Sequence, residues 1–481
     1  MKKIGSFKAK SSKDIKGSKI GIGFECLDRQ MWDDNDEAYR LVGETGVKHA
    51  RVQSGWSRCE IEKGVLDFAW LDRIVNKLLE KGIKPWLNVT YGNIHHTDAK
   101  EPDAVGWAPI FSDESREAWK YYVKELVNHF KDRVTHYEVW NEPDITVFWN
   151  TGTNVHEYMD LLKMTVPVIR EAYPEAKIIG GASASGFSNM GFAVLEEYLK
   201  EGMAQLIDVY SYHRYRIVPE LYSTEDMRHM REAFKAYGGE HVELWQAESG
   251  CPSQSASTQA LANTPVNKEV QAKVLCRSIM TDLDMEVDYT CYFHFSDFKF
   301  YYRDGYCEVP NHFGIITYDN PPQPKPAYFA LQCMCALFDE DTVRAPRTRI
   351  DMSLKDMEKS KEKYAFQIDI LNSMKTGFTR KGYPLISWYL PADLLPSYAD
   401  NPPYQPRDIR MHIWVPGQNI KNPVVIDPIT GNVYGLEAED GLFRDNHKEV
   451  IQEIILNDVP LMDYPMFVTD MAAVEDMIEV Q

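Results

Sequence analysis

The chain lacks a long apolar run, zinc-spaced cysteines and any surplus of basic charge. No stretch is long and apolar enough to span a bilayer, so no membrane partner is expected. The lysine-rich opening, Met1 to Gly23, has no apolar h-region; no secretory signal is expected there, and a cytoplasmic location is. Basic residues number 53 against 72 acidic ones, a formal net charge of −19. That deficit argues against nucleic acid or an anionic membrane as partner. No block of like charges forms a tail. The eight cysteines show no zinc-ligand spacing, and Cys333-Met334-Cys335 is too tight for a CxxC motif, so reduced thiols are the simplest reading. Internal repeats and low-complexity linkers are also missing. What is present is an ordinary globular composition, 44% hydrophobic and 26% charged, over 481 residues. That length suffices for a large domain and a second, smaller one.

The most informative stretch is Val134-Thr135-His136-Tyr137-Glu138-Val139-Trp140-Asn141-Glu142-Pro143-Asp144. It begins as a β-branched and aromatic run, which predicts a buried strand. Pro143 cannot extend a central strand, so Glu142 stands at the strand's carboxyl end. A carboxylate there does nothing for packing, and Asn141 beside it is an amide donor suited to a sugar hydroxyl.

Trp140-Asn141-Glu142-Pro143 resembles the acid/base motif of the retaining glycoside hydrolases of clan A. The continuation Asp144-Ile145-Thr146-Val147-Phe148-Trp149 is most similar to family 39, the β-xylosidases and α-L-iduronidases. The resemblance implies an α/β fold, a (β/α)8 TIM barrel, with the proton donor after strand 4. It also demands a second carboxylate at the end of strand 7.

That carboxylate is present. Val242-Glu243-Leu244-Trp245-Gln246-Ala247-Glu248 reads as a strand ending in Glu248, 106 positions (248 − 142) after Glu142. Three strand–helix units of about 30 residues or slightly more fill that interval. Ser249-Gly250-Cys251-Pro252 then depart from the family pattern, and Cys251 reads as an inert wall residue.

The other barrel strands are expected at Ile20–Phe24, Val47–Gln53, Pro85–Tyr91, Lys177–Ser183, Leu206–Tyr215 and Tyr289–Asp297. Glu25 follows the first and is either a pocket residue or a surface carboxylate. On the second, alternation puts His49, Arg51 and Gln53 on the inner face, and a buried guanidinium needs an acidic partner. Clan resemblance makes that partner Glu248, with a purely structural buried ion pair as the alternative. The same resemblance puts His213 and Tyr215, from a Ser-x-His-x-Tyr run, in the pocket, with a core histidine as the alternative. After the third strand, His95-His96-Thr97-Asp98 does not favour a metal, because adjacent loop side chains rarely share an ion. His95 as a sugar hydrogen-bonding group and Trp107 as a stacking platform are the functional readings, and solvated loop residues the bland ones. Phe293-His294 replaces the family's Trp-Thr pair, so the sugar-facing wall differs and xylosidase specificity does not transfer directly. Trp119, Tyr122, Val123, Leu126 and Val127 recur at helical spacing within a helix over Ser115–Phe130 and are core.

Three domains are expected: residues 1–18, an N-terminal strand joining the C-terminal domain; 19–340, the barrel; and 341–481, a β-sandwich. The last rests on short β-rich pieces at Lys363–Leu371, Leu385–Leu390, Ile409–Val415 and Val424–Asp427, with turn clusters between them.

The activity so implied is hydrolysis of small glycosides by double displacement. Glu248 would be the nucleophile and Glu142 the acid/base, about 5–5.5 Å apart. Glu142 needs a raised pKa and Glu248 an ionised state. No cofactor and no metal are implied. An exo-acting β-xylosidase-like enzyme is the leading expectation. Alternatives are an α-L-arabinofuranosidase, a β-galactosidase, a uronide-cleaving enzyme (with Arg214, Arg216 or Arg303 as loose candidates for the sugar carboxylate) and a non-catalytic sugar-binding barrel. The partner is a small carbohydrate, and a homo-oligomer stays open.

Overall fold

The computed structural model describes the whole chain except residues 186–187, 257–258, 304–305, 309, 355–368, 396–403, 417, 445–449 and 481. After an N-terminal strand, β1 (Lys2–Phe7), eight strands close into a barrel: β2 (Ile20–Gly23), β3 (His49–Gln53), β4 (Lys84–Val89), β5 (His136–Val139), β6 (Lys177–Ser183), β7 (Val209–His213), β8 (Glu243–Ser249) and β9 (Tyr289–Tyr292). Every ladder is parallel, and β9 returns to β2 with Ile20 opposite Thr290. Parallel neighbours need a crossover, and helices supply it. The helix Asp113–Phe130 shows why: Ser112 caps it by accepting from the Ser115 N–H at 3.1 Å, and Trp119, Tyr122, Leu126 and Phe130 recur on one buried face. Asn35, Asn154 and Asn267 cap other crossover helices in the same way.

The barrel interior is layered. Near the amino ends of the strands, His49, Trp86, Trp245 and Tyr289 pack ring against ring with centroids 4.8–5.5 Å apart, closing the floor. Above them the inner face turns polar, with Arg51, Glu138 and Ser211 fully buried. On β3 the alternation holds: Ala50 and Val52 join the outer core, while Arg51 turns inward.

Some expected strands run longer than the observed ones. Leu206 ends a helical turn (Met203–Leu206), and Asp208 accepts from Arg170 and from the Ile178 N–H, both at 2.7 Å, before β7 starts at Val209. Beyond Tyr292 the chain leaves the barrel ladder: the Phe295 N–H donates to Gly23 and the Ile316 N–H to Phe295, so the aromatic run after β9 is a wall and not a strand. Of the strand expected over Lys363–Leu371, residues 363–368 lie outside those described, and 369–371 lie in a helical turn.

Beyond the last barrel helix, the described residues together with β1 form two antiparallel sheets. One has eight strands and includes β1, which pairs with Asn432–Gly435 and with Ile478–Val480. The other has four: Arg349–Leu354, Arg407–Trp414, Ala438–Arg444 and Val450–Leu461. The strand Tyr383–Tyr389 is buried on both faces, which explains its nearly unbroken hydrophobic run. Leu385 and Tyr389 belong to the core shared with the barrel, and Ile386 and Trp388 to the core between the two sheets. Buried Arg380 donates to Asp339 just beyond the last barrel helix, Pro326–Leu337, at 2.9 Å. No helix among the described residues is long and apolar enough to cross a membrane.

Candidate active site

The segment after β5 leaves the ladder by two left-handed residues, Trp140 (φ +70°) and Glu142 (φ +45°). Each costs on the order of 1–3 kcal/mol and persists only where its surroundings enforce it. Here Asn88 Nδ2 donates to the Trp140 carbonyl at 2.5 Å, and Trp140 Nε1 donates to the Phe148 carbonyl at 2.8 Å. The Glu142 N–H donates to Ala182 at 2.9 Å. Asp144 ties the same segment to the end of β6, accepting from Ser183 Oγ and from the Ala184 and Ser185 N–H groups at 2.7–2.9 Å. The outcome is a Glu142 carboxylate fixed at the carboxyl end of the barrel.

Glu248 ends the inward face of β8. Arg51 Nη1 donates to its Oε1, and Tyr215 OH donates to its Oε2 at 2.8 Å. Arg51 is fully buried and binds more than Glu248: Nε donates to Glu138 at 2.6 Å, Nη1 to Glu25 at 2.9 Å and Nη2 to Asn141 Oδ1 at 2.9 Å. His213 Nδ1 lies 2.8 Å from Glu142 Oε1 and 3.5 Å from Glu248 Oε2. Burial pushes the His213 pKa down, against the pull of Glu248, so the ring is neutral. Its Nε2 is buried without a partner, which leaves the proton on Nδ1, between the two carboxylates. One oxygen of Glu142 and one of Glu248 lie within 4.8 Å of each other. Two carboxylates and a histidine at that spacing would also suit a cation, but the Arg51 guanidinium already occupies Glu248 and would repel one.

These groups border a cavity of about 450 Å³. Of the residues singled out from the sequence, Glu25, Gln53, Asn141, Glu142, Tyr215, Glu248 and Phe293 line it. Arg51 and His213 stand behind the lining, in contact with the carboxylates. Two candidates lie elsewhere. The His95 ring meets the Ile61 carbonyl at 3.0 Å, and its neighbour His96 stacks on Trp56 and bonds Glu60 at 2.8 Å, so this loop is a strut. Trp107 presses its backbone onto Gly92, where a Cβ would meet the Trp107 carbonyl at 2.2 Å, and it does not reach the cavity. Two of the three basic candidates are also turned away from it. Arg214 pairs with buried Asp282 at 2.6 Å, Arg216 bonds Asp226, and the Arg303 side chain lies outside those described.

The cavity also takes in residues that the sequence did not single out: Arg29, Tyr91, Phe148, Asn311, Phe313 and the loop residues Gln259–Leu261. Tyr91 carried a signal, since it closes the strand expected over Pro85–Tyr91. Arg29 carried none, being one basic residue in a loop. It donates to Gln53 Oε1 at 2.9 Å and to Cys26 Sγ at 3.3 Å. Gly250 has a local role: a Cβ there would meet the Phe293 carbonyl at 2.2 Å, so glycine lets the aromatic wall close beside Glu248. The Cys251 thiol is pushed up to about 12 by burial, which makes it inert at neutral pH.

A family model described as "Glycosyl hydrolases family 39" matches residues 39–368, more than half of the chain. A β-xylosidase of Caldicellulosiruptor saccharolyticus is 26% identical over 329 residues, 62% of this chain and 63% of that protein. The chain thus spans less than two thirds of that relative. A β-xylosidase of Geobacillus stearothermophilus is 26% identical over 133 residues, 26% of each chain. Among solved structures, a family 39 glycoside hydrolase from Bacteroides cellulosilyticus WH2 superposes with a TM-score of 0.60 at 19% identity, over 94% of this chain and 80% of that one. A monomeric β-xylosidase from Caulobacter crescentus CB15 gives 0.59 at 14% identity, over 97% and 98%. At such identities the superpositions speak for the fold alone.

Proposed function

The chain belongs to glycosyl hydrolase family 39, and from that premise we propose that it hydrolyses small glycosides by double displacement with retained configuration. The observation that carries this reading is the pair Glu142 and Glu248, with an oxygen of each within 4.8 Å. Retaining enzymes hold their carboxyl groups about 5–5.5 Å apart, inverting ones about 6.5–9.5 Å, leaving room for a water.

The surroundings divide the roles. Glu248 is held by Arg51 and Tyr215, donors that favour a carboxylate and aim it. It attacks the anomeric carbon and forms a glycosyl-enzyme. Glu142 meets His213 and the cavity; it protonates the departing oxygen, then takes a proton from the attacking water. Asn141 is oriented through its oxygen by Arg51, which leaves the amide N–H groups to hold a sugar hydroxyl. The β-xylosidase-like assignment draws on the relatives' names and on Phe293 and Phe313, an apolar wall suited to a sugar without a bulky charged arm. Arg29 on the cavity wall favours a second reading, a sugar bearing a carboxylate. A cytoplasmic site of action is part of the proposal, in keeping with the seven cysteines, free and buried, among the described residues.

The test is a panel of nitrophenyl glycosides that includes β-xyloside, α-L-arabinofuranoside, β-galactoside and glucuronide. The anomeric proton of the first-formed product is followed by NMR. Hydrolysis with retention is expected. An inverted first product, or no hydrolysis across the panel by folded protein, overturns the proposal.

A further inference from the structure

Arg29, in the loop after β2, lines the cavity with part of its guanidinium unspent. Arginine carries five N–H groups in a planar fork. Three are used within the protein. Nε donates to Asp28 Oδ1 at 3.4 Å, and Nη2 donates to Gln53 Oε1 at 2.9 Å and to Cys26 Sγ at 3.3 Å. The two on Nη1 make no bond among the described residues. The guanidinium carbon also lies 5.5 Å from the centre of the Tyr91 ring. These contacts hold the fork in place before any ligand arrives.

The group is within a ligand's reach. The Arg29 side chain is 7% exposed, against 12% for Glu142 and 10% for Glu248, which must themselves meet the sugar. Its place is on the glycone's side of the cavity. Arg29 bonds Gln53, which lies two residues along the inner face of β3 from Arg51. Arg51 in turn holds Glu248 and Asn141, the groups given to the anomeric carbon and to a sugar hydroxyl.

We propose that Arg29 is a specificity residue that donates from Nη1 to a hydroxyl oxygen of a neutral glycone. The inference rests on the glycosidase reading and selects the neutral sugar over the charged one. Charge decides between them. Asp28, its side chain 6% exposed, already stands against the Arg29 guanidinium, and Asp103 adds to the same field. Among the described residues Arg29 is the one basic group on the cavity lining, whereas Glu25, Glu142 and Glu248 all belong to it. A sugar carboxylate would therefore meet three carboxyl groups and a cation whose charge is already countered. A hydroxyl oxygen accepts from Nη1 and brings no charge with it. A glycone lacking that hydroxyl leaves the Arg29 donors unpaired and is rejected.

The test measures kcat/KM for wild type, Arg29→Met and Arg29→Lys on the preferred neutral nitrophenyl glycoside, its monodeoxy analogues and nitrophenyl glucuronide. Arg29→Met should lose about 10- to 100-fold on the parent glycoside, the usual result of deleting a charged donor. At one deoxy position that loss should vanish, because the partner hydroxyl is already gone. Arg29→Lys keeps a cation beside Asp28 and serves if Arg29→Met fails to fold. It cannot reproduce the fork, so it should also lose activity, and its loss should vanish at the same position. Wild type should cleave the neutral glycoside faster than the glucuronide. A loss that is equal on the parent and on every deoxy analogue makes Arg29 purely structural and overturns the proposal, as does faster cleavage of the glucuronide by wild type. If the folded enzyme cleaves no glycoside, the glycosidase reading falls, and Arg29 is judged by the binding of free D-xylose, L-arabinose, D-galactose and D-glucuronate in saturation-transfer NMR titrations. Binding of a neutral sugar that Arg29→Met weakens about 10-fold supports the hydroxyl contact. Tighter binding of glucuronate, equal binding by both proteins, or no neutral sugar bound at all overturns it.

Discussion

Replacing Arg51 by methionine should destabilise the protein in a strongly pH-dependent way. The guanidinium supplies four bonds to three carboxylates and one amide, all at buried positions. Without it, the carboxylates it served face one another in a site with no other cation bonded to them. They relieve the repulsion by taking up a proton. Protonating one ordinary glutamate, of pKa about 4.3, at pH 7 costs about 2.7 units at 1.36 kcal/mol each, or about 3.7 kcal/mol. This agrees with the roughly 3–5 kcal/mol lost when one partner of a buried pair is removed. It is a large share of a net stability of about 5–15 kcal/mol. The sign follows from linkage: the variant's folded state binds a proton that the unfolded chain does not, so its stability falls as pH rises. The deficit should be about 4 kcal/mol at pH 7 and about 1 kcal/mol at pH 5. Urea unfolding of both proteins at pH 5, 6 and 7, followed by tryptophan fluorescence, measures it. A deficit that is the same at pH 5 and pH 7, or under about 1 kcal/mol at pH 7, would refute the one-cation, three-carboxylate account.

Four further outcomes follow from the same structure. Glu248→Ala should be inactive on every substrate. Glu142→Ala should still release nitrophenolate in a burst and be revived by azide, giving a glycosyl azide of unchanged anomeric configuration; an inverted azide, or equal losses on good and poor leaving groups, removes Glu142 from its role. Tyr215→Phe deletes a 2.8 Å bond to the Glu248 carboxylate, worth about 1.5–3 kcal/mol, so kcat/KM should fall about 10- to 150-fold; a loss under about 3-fold would mean that the hydroxyl does not aid Glu248. Asp339 is held below the usual carboxylate range, since Arg380 outweighs the burial that would raise it. Its contribution is therefore present above the unfolded-state pKa and lost as pH falls through the lower folded value, so Asp339→Asn should lose stability at pH 7 and approach wild type below about pH 4 in urea melts.

The parts of the site that the sequence exposed are those governed by strand period and strand ends. Glu142 and Glu248 each close a hydrophobic run, and two-residue alternation alone turned Arg51 and Gln53 inward. The parts it concealed depend on where loops return. Arg29 sits in a loop with no periodicity, and Asn311 and Phe313 come from a segment that folds back onto β9. His95 and Trp107 misled for a related reason: their residue types suit sugars, but the loop after β4 spends them on internal contacts with Ile61 and Gly92. In the C-terminal domain, strands buried on both faces were legible as unbroken apolar runs, and alternation around Phe7 with the family resemblance pointed β1 to that domain, whereas its partners, more than 400 residues away, are encoded by no local pattern.

The aromatic floor beneath Arg51 has a consequence for traffic. His49, Trp86, Trp245 and Tyr289 seal the barrel below the carboxylates, so the cavity has its mouth only at the loop end among the described residues. With one doorway, the departing alcohol and the incoming water of the proposed double displacement would share a passage and use it in turn. A glycosyl-enzyme formed in such a dead end waits until the first visitor has left, and whatever stands at the mouth next is the acceptor. The cavity's 450 Å³ corresponds to about fifteen waters at roughly 30 Å³ each, too few to dilute a crowded doorway. At high concentrations of sugar or simple alcohol the queue itself selects the product, and synthesis competes with hydrolysis without any change in the catalytic groups.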